Sequence, residues 1–478
     1  MPDSDPNSPA GPSNQQQPSQ PYQPGPSKTN KTDIALRVVS SEDSGSPLVS
    51  GEHAAPSDDA PQYRRYRRRF FGLAQLVLLN IIVSWDWLTF AAISTTAAEF
   101  FSVSESDINW LSTAFLFAFV PVAPLVIWTL NKGGPKHSIL VASALVLVGN
   151  WIRYGGTRAQ PPRFGVVVFG QILIGFAQPF VLAAPTRYSN LWFSDTGRVS
   201  ATAVASLANP LGGALGQLIG PIWATNLKGI PNMVLYTSIL STVATLPAPF
   251  IPKSPPTPPS AIAASEKLDL RAALHDLPKN VSFYLILLPF SVYVGFFNAS
   301  ASLVNQILGP YGFSETDAGI AGGLLIIVGL IAAAVVSPIV DRTKKYAPVI
   351  KVLVPIVAVS YLVLIFMPGT RTLAGPYTVF SILGASSFSL LPCALEYLVV
   401  VTHPVSPEIT STINWTLGQL LGAIFIIIMD ALRGGWPGAP PNSIIRGLIF
   451  QAVIAWVVVP FPMFLATRWV KRQPVALS

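Results

Sequence analysis

The feature that most restricts this chain is a succession of apolar runs, about twelve in number, each near the ~20 residues that cross a hydrocarbon layer and separated by short polar joints. A backbone inside lipid has no water to bond, so a single run of this length must satisfy its own amides and is therefore helical. The spans read 70–94, 109–130, 138–157, 164–186, 199–222 and 231–251, then 282–308, 317–340, 349–367, 374–401, 408–431 and 444–468. Composition agrees: 51% of the 478 residues are hydrophobic and 11% charged, whereas an ordinary soluble domain carries roughly 25% charge. The expected fold class is an all-α polytopic membrane protein with twelve transmembrane helices in two six-helix bundles. A cytosolic enzyme is excluded, and so is a disulfide scaffold, because the single cysteine, Cys393, has no intramolecular partner.

Residues 1–63 are rich in Pro, Ser, Gln and Asp. They cannot bury enough apolar surface to offset the entropy of ordering and are expected to form a disordered cytoplasmic tail. No apolar signal core precedes the first span, which is expected to direct insertion itself. Arg64, Arg65, Arg67, Arg68 and Arg69 stand directly before that span, where they would meet anionic headgroups of the cytoplasmic leaflet. Lys and Arg concentrate in the loops that face inside if both termini are cytoplasmic, including the C-terminus at 471–478. Arg153, Arg158 and Arg163 are exceptions around an outside loop, and for Arg153 a place inside the bundle or a snorkelled one is expected. The net charge of +8 is scattered between apolar segments, which gives phosphates no continuous face and excludes nucleic acid as a partner.

Residues 252–281 interrupt the helices with Ser254-Pro255-Pro256-Thr257-Pro258-Pro259 and several charges, and read as a cytoplasmic linker. They divide the chain into an N-terminal bundle, 64–251, and a C-terminal bundle, 282–470, of nearly equal length, as an internal repeat would. A second landmark recurs at the same offset. Asn131-Lys132-Gly133-Gly134-Pro135-Lys136 follows the second span and Asp341-Arg342-Thr343-Lys344-Lys345 follows the eighth, 210 residues later. Both resemble degraded copies of the loop motif of the major facilitator superfamily. The resemblance assigns Asn131, Lys132, Asp341 and Arg342 to gating, with an acid that pairs to a neighbouring helix and cations that complement a helix carboxyl end. Ordinary cytoplasmic charges at a turn account for the cations equally well, and Asn131 departs from the expected acid.

Polar side chains at membrane depth mark either interhelical bonds or a substrate path. In a transporter built of two such halves, the first helix of each three-helix repeat lines the central cavity: here the first, fourth, seventh and tenth. The first carries Asn80, Asp86 and Trp87, and the fourth carries Gln171 and Gln178. The seventh carries Asn298, Ser302 and Asn305 in one stripe, with Gln306 beside it. Glu396 lies on the tenth, and Thr412, Trp415 and Gln419 share a face of the eleventh. Each Asn or Gln taken alone is as well explained as helix glue, with about 1 kcal/mol per bond; their joint placement on cavity helices points to a site. Asp86 and Glu396 are either charge-compensating carboxylates of the site, or neutral, or paired with Arg153.

Longer strings carry a more specific likeness. Trp85-Asp86-Trp87-Leu88-Thr89-Phe90, Asp107-Ile108-Asn109-Trp110-Leu111-Ser112 and Gly170-Gln171 through Ala177-Gln178 to Pro185-Thr186-Arg187 resemble the feline leukaemia virus subgroup C receptor family. So do Ser302-Leu303-Val304-Asn305-Gln306 and Leu395-Glu396-Tyr397 running to Thr402-His403-Pro404. The resemblance spans nearly the whole membrane region. It implies the major facilitator fold and transport of choline or ethanolamine, with haem export also proposed in that family. Its choline cage of an aromatic and glutamines maps onto Trp87, Gln178 and Gln419, while Asn298 stands where the family cage has a tyrosine. Tyr293, Phe296 or Phe297 would then have to supply the missing wall.

The expected function is therefore a secondary transporter of a small organic solute, a choline-like cation or amino alcohol. The expected substrate-binding residues are Trp87, Asp86, Gln178, Asn298, Asn305, Gln419 and Glu396. Neither a cofactor nor a metal is expected, and the chain is expected to act as a monomer in a plasma or vacuolar membrane. Haem export on the same fold is the first alternative, although His53, His137, His275 and His403 all lie outside the helix centres. A polytopic membrane enzyme is the second, and neither a Gly-x-Ser-x-Gly elbow nor a phosphate loop speaks for it.

Overall fold

A computed structural model describes residues 66–257, 277–402, 405 and 407–465. The expected tail and most of the expected linker lie outside the described residues. All regular structure among the described residues is helical. Twelve long helices follow one another among the described residues: α1 Arg69–Leu88, α2 Glu105–Leu130, α3 Lys132–Arg158, α4 Phe164–Trp192, α5 Asp195–Trp223 and α6 Gly229–Thr245. After the gap come α7 Val281–Ser302, α8 Glu315–Thr343, α9 Tyr346–Leu364, α10 Ala374–Thr402, α11 Pro407–Ala431 and α12 Ile445–Met463. Eleven of these segments are long and apolar enough to cross a bilayer. The other, α5, has 29 residues but is diluted by Ser200, Thr202, Ser206 and Asn209. These boundaries match the apolar runs closely because water-free surroundings leave a continuous apolar segment no alternative to a helix.

The surface is inverted relative to a soluble protein. Phe169, Ile331, Val335, Ile339 and Val453 stand exposed around the outside, whereas Asn80, Asn150, Gln171, Gln217 and Gln451 are buried. α2 and α3 run into each other through Gly134, whose φ of 69° is left-handed backbone that a residue with a Cβ rarely adopts. Pro210 and Pro392 stay inside continuous helices.

The internal repeat is visible as repeated close packing. A Cβ on Gly175 of α4 would stand 2.7 Å from the carbonyl oxygen of Phe115 on α2, and one on Gly384 of α10 would stand 1.9 Å from that of Leu325 on α8. Glycine lets these backbones approach, as small residues do at membrane helix contacts. The starts of α2 and α8 are also copies. Ser104-Glu105-Ser106-Asp107 and Ser314-Glu315-Thr316-Asp317 both form capping boxes, in which the serine oxygen accepts from the Asp amide at 3.1 Å. The two halves meet where α2 packs on α11 and α5 on α8, with Leu116 against Gly422 and Leu218 against Gly323.

α1 and α7 share a further trait. Each stops before its apolar run ends, at Leu88 and Ser302, and a short helix continues the path: Ser94–Phe101 after α1, Val304–Leu308 after α7. Leu303, with φ −100° and ψ 10°, breaks the helical register between Asn298 and Asn305.

Candidate functional site: a central cavity closed at one end

A cavity of about 1050 Å³ lies between the halves. It reaches from the middle of the helices to the end where α4 turns into α5 and α8 into α9, bordered there by Asn190, Arg198, Val340 and Tyr346. Trp87 and Ser84 of α1, Gln178 of α4 and Asn209 of α5 line one wall. Phe297 and Asn298 of α7, Phe388 and Glu396 of α10, and Trp415 and Gln419 of α11 line the other. Five of the seven expected binding residues, Trp87, Gln178, Asn298, Gln419 and Glu396, thus border one space.

Their local geometry follows from the helices that carry them. Trp87 stacks on Phe115, centroids 6.0 Å apart and planes within 11°, which fixes its ring on α1 against α2. Asn298 donates its amide to the Gln419 oxygen at 2.8 Å, tying α7 to α11. The Trp87 indole N–H and the Gln178 amide oxygen are buried and have no hydrogen-bond partner among the described residues. Both atoms have almost no accessible surface, so they lie behind the cavity wall, and an unpaired buried polar atom is costly. Phe297 packs edge-on to Phe388 at 5.3 Å, and Phe290 to Trp415 at 5.7 Å. Phe297 and Tyr293 both border the cavity, the Tyr293 hydroxyl being spent on the Ala455 carbonyl, whereas Phe296 stacks on Phe425 at 4.1 Å away from it.

Two expected binding residues lie elsewhere. Asp86 follows the helix about 100° round from Trp87 and points into the N-terminal bundle. Its carboxylate meets Arg153 at 3.1 Å and accepts from the Asn150 amide at 2.5 Å, while Gln171 donates to its backbone carbonyl. Of the roles open to it in the sequence, Asp86 takes the pair with Arg153. Asn305 is carried off the Asn298 stripe by the break at Leu303 and donates to Ser94 and Thr95 at 3.0 and 2.9 Å. Asn80, bonded to Leu76 and more distantly to Val181, is helix glue. In the loop motif Lys132 sits 5.2 Å over the Trp128 ring and Arg342 is exposed; the side chains of Asn131 and Asp341 lie outside the description.

The far end of the molecule is shut by polar contacts across the halves. Asn109 exchanges hydrogen bonds with Gln306 at 3.1 and 2.7 Å and donates to Asp430 at 3.1 Å. Arg433 pairs with Glu105 at 2.8 Å and Asp430 at 3.0 Å and also reaches Gln306. Glu315 accepts from the amide and hydroxyl of Thr96. Asp430 is therefore held in a network. A second, smaller cavity of about 680 Å³ lies outside this layer, bordered by Thr95, Glu105, Asn305 and Glu315. This closure is not apparent from isolated residues, since Arg433 and Glu105 are 328 positions apart. The repeated Ser-Glu-Ser/Thr-Asp string is the sequence signal that marks it.

Comparison with known proteins agrees with this architecture. The family model of the Major Facilitator Superfamily matches residues 76–426. Solute carrier family 49 member A3 of Xenopus tropicalis is 32% identical over 423 residues, covering 86% of this chain and 87% of the relative. The human choline/ethanolamine transporter FLVCR2 is 28% identical over 394 residues, covering 79% and 74%. The expected likeness to the feline leukaemia virus subgroup C receptor family is thus found over most of the chain. Among solved structures, the Escherichia coli xylose transporter XylE shares the fold, with a TM-score of 0.64 at 13% identity, covering 84% of this chain and 98% of that one. The chain belongs to the Major Facilitator Superfamily, as a multi-pass membrane transporter of the solute carrier 49 group.

Proposed function

We propose that the protein carries a small organic cation, choline-like or an amino alcohol, by alternating access. The observation that supports this most is the joint bordering of one cavity by Trp87, Gln178, Asn298, Gln419 and Glu396, drawn from both halves. A cation that enters finds an indole ring, amide oxygens and a carboxylate on the walls. Cation–π attraction contributes about 0.5–2 kcal/mol, and the carboxylate offsets charge in a region of low dielectric. FLVCR2 is named for choline and ethanolamine, which fits these groups.

The two halves rock about the cavity so that the far-end contacts part while the near end closes. Arg433, Glu105, Asn109, Gln306 and Glu315 hold the closed state at that end. Lys132 and Arg342, with Asn131 and Asp341, act in the corresponding closure at the near end. In this reading the near end and both termini face the cytoplasm, the protein works as a monomer in a plasma or vacuolar membrane, and it catalyses no covalent reaction. The 64–251 and 282–470 bundles are the moving bodies, with 252–281 as the cytoplasmic link.

Counterflow of labelled choline and ethanolamine into proteoliposomes containing the purified protein tests the proposal. Saturable exchange above empty liposomes is expected. No exchange of either amine, with the protein monodisperse, would overturn it.

A further inference from the structure

We infer that the cavity communicates with the bilayer through a lateral gap between α5 and α8, and that the protein takes through it amines carrying one alkyl chain, the ammonium lying in the cavity and the chain in the gap. This rests on the transport reading above and widens it to single-chain amphiphiles.

The seam between α5 and α8 is tight toward the far end. Cβ atoms on Gly319 and Gly323 of α8 would stand 2.5 Å from the Gln217 carbonyl oxygen and 2.6 Å from the Leu218 side chain, and one on Gly213 of α5 would meet Ile326 at 3.3 Å. These pairs show that the two helices run antiparallel. Toward the near end the seam changes: Ala203, Ser206 and Leu207 of α5 and Ala334, Ser337 and Pro338 of α8 border the cavity. Ser337 is half-buried and the other five are exposed. Small residues ordinarily let membrane helices close on one another. Ala203 and Ala334 are exposed instead, so their small size leaves space.

The gap leads to lipid. One residue further along a helix lies about 100° round its axis. Val204, beside Ala203, is 54% exposed, and Val335, beside Ala334, is 59% exposed; neither borders the cavity. On each helix the stripe that faces the cavity thus adjoins the stripe that faces the bilayer, and Leu207 belongs to the edge between them. The opposite seam differs. There α2 contributes Phe119 alone to the cavity among the described residues, 2% exposed, while Leu125 and Trp128 face outward without bordering it. The opening is therefore one-sided.

The groups along this path sort a head from a tail. Glu396 is exposed on the cavity wall and supplies a carboxylate for an ammonium, and the hydroxyls of Ser206 and Ser337 line the way in. The outer edge is hydrocarbon: Leu207, Pro338, Val204 and Val335. An alkyl chain drawn wholly into a water-filled cavity would lose the apolar surroundings it has in the bilayer. Lodged in the gap, it keeps them while its charge reaches the carboxylate, and a charge at membrane depth without such a partner is costly.

The test is photolabelling in proteoliposomes with N-dodecyl ethanolamine whose chain ends in a diazirine and an alkyne, read by peptide mass spectrometry. Labels are expected on 200–211 of α5 and 330–339 of α8, falling at least fivefold when excess ethanolamine displaces the head. Labels spread evenly over the lipid-facing sides of α3, α6, α9 and α12, or labels that ethanolamine does not displace, overturn the gap as a substrate path. If ethanolamine still exchanges in that case, the transport reading stands; if neither choline nor ethanolamine exchanges or displaces the probe, both fall. Ala334→Trp, which fills the gap from α8, is expected to lower the displaceable labelling at least fivefold, and unchanged labelling would count against the gap. The wild-type map decides the matter even if that variant does not fold.

Discussion

The carboxylate of Asp86 and the guanidinium of Arg153 meet at 3.1 Å inside the N-terminal bundle, with both side chains fully excluded from solvent. Asn150 bonds each of them, and the Arg153 guanidinium lies 5.4 Å from the centre of the Phe90 ring. The pair joins α1 to α3 one residue before Trp87 and two before the helix ends at Leu88, so it holds the part of α1 that presents the indole.

Removing one partner strands the other. Arg153→Ala or Asp86→Asn is expected to destabilise the protein by about 3–5 kcal/mol, the usual cost of an uncompensated buried charge. The double variant Asp86→Asn with Arg153→Gln is expected to recover part of this loss, because neither charge then remains. Thermal unfolding of the detergent-purified proteins reads the effect; additive losses in the double variant would contradict the pairing.

Much of the fold was legible in the sequence because each span reports on itself. Apolar length dictates a helix wherever it occurs, and the twelve runs needed no knowledge of one another. The site was legible only in part. Gln178 and Gln419 could be placed from helical spacing, each within its own uninterrupted helix. Asn305 could not, since nothing in the apolar run 282–308 announces that the chain leaves the helix at Leu303. Asp86 and Trp87 are neighbours in sequence yet serve different surroundings, a difference set by which helix packs behind α1. The far-end contacts were hidden because they join residues hundreds of positions apart.

Arg433 is the hub of those contacts, and its removal is expected to bias the protein toward opening at the far end. Hydrogen bonds to a charged group contribute about 1.5–3 kcal/mol, which corresponds to roughly a tenfold or larger change in an equilibrium constant. With Cys393→Ala as background, a cysteine at Ser302→Cys is expected to react several-fold faster with an impermeant thiol reagent applied from the far side when Arg433→Ala is added. An unchanged rate would remove Arg433 from the closure.

Glycine at the close helix contacts is expected to be irreplaceable. Gly384→Ala brings a Cβ to 1.9 Å from the Leu325 carbonyl oxygen, so α8 and α10 must separate. A loss of about 1–3 kcal/mol is expected, as for other overpacked sites. Gly155→Ala in α3 has nothing within 4 Å of the new Cβ and serves as the control; it is expected to be neutral or slightly stabilising. Equal unfolding temperatures for the two variants would contradict the packing argument.

Trp87 and Gln178 are expected to matter for transport without holding the fold. Trp87→Ala is expected to lower kcat/KM for amine uptake at least tenfold while leaving the gel-filtration profile unchanged, and Trp87→Phe is expected to retain a larger share because it keeps a ring. Uptake kinetics of the three proteins in parallel provide the check, and equal losses for Ala and Phe would shift the role from the π face to the indole N–H.

The most direct measurement is an electron cryo-microscopy structure of the full-length protein with saturating ethanolamine. Density for the amine is predicted within hydrogen-bond reach of Gln178 and Asn298 and beside Trp87. Density confined to the smaller cavity near Glu315, or on the lipid-facing surface, would contradict the account.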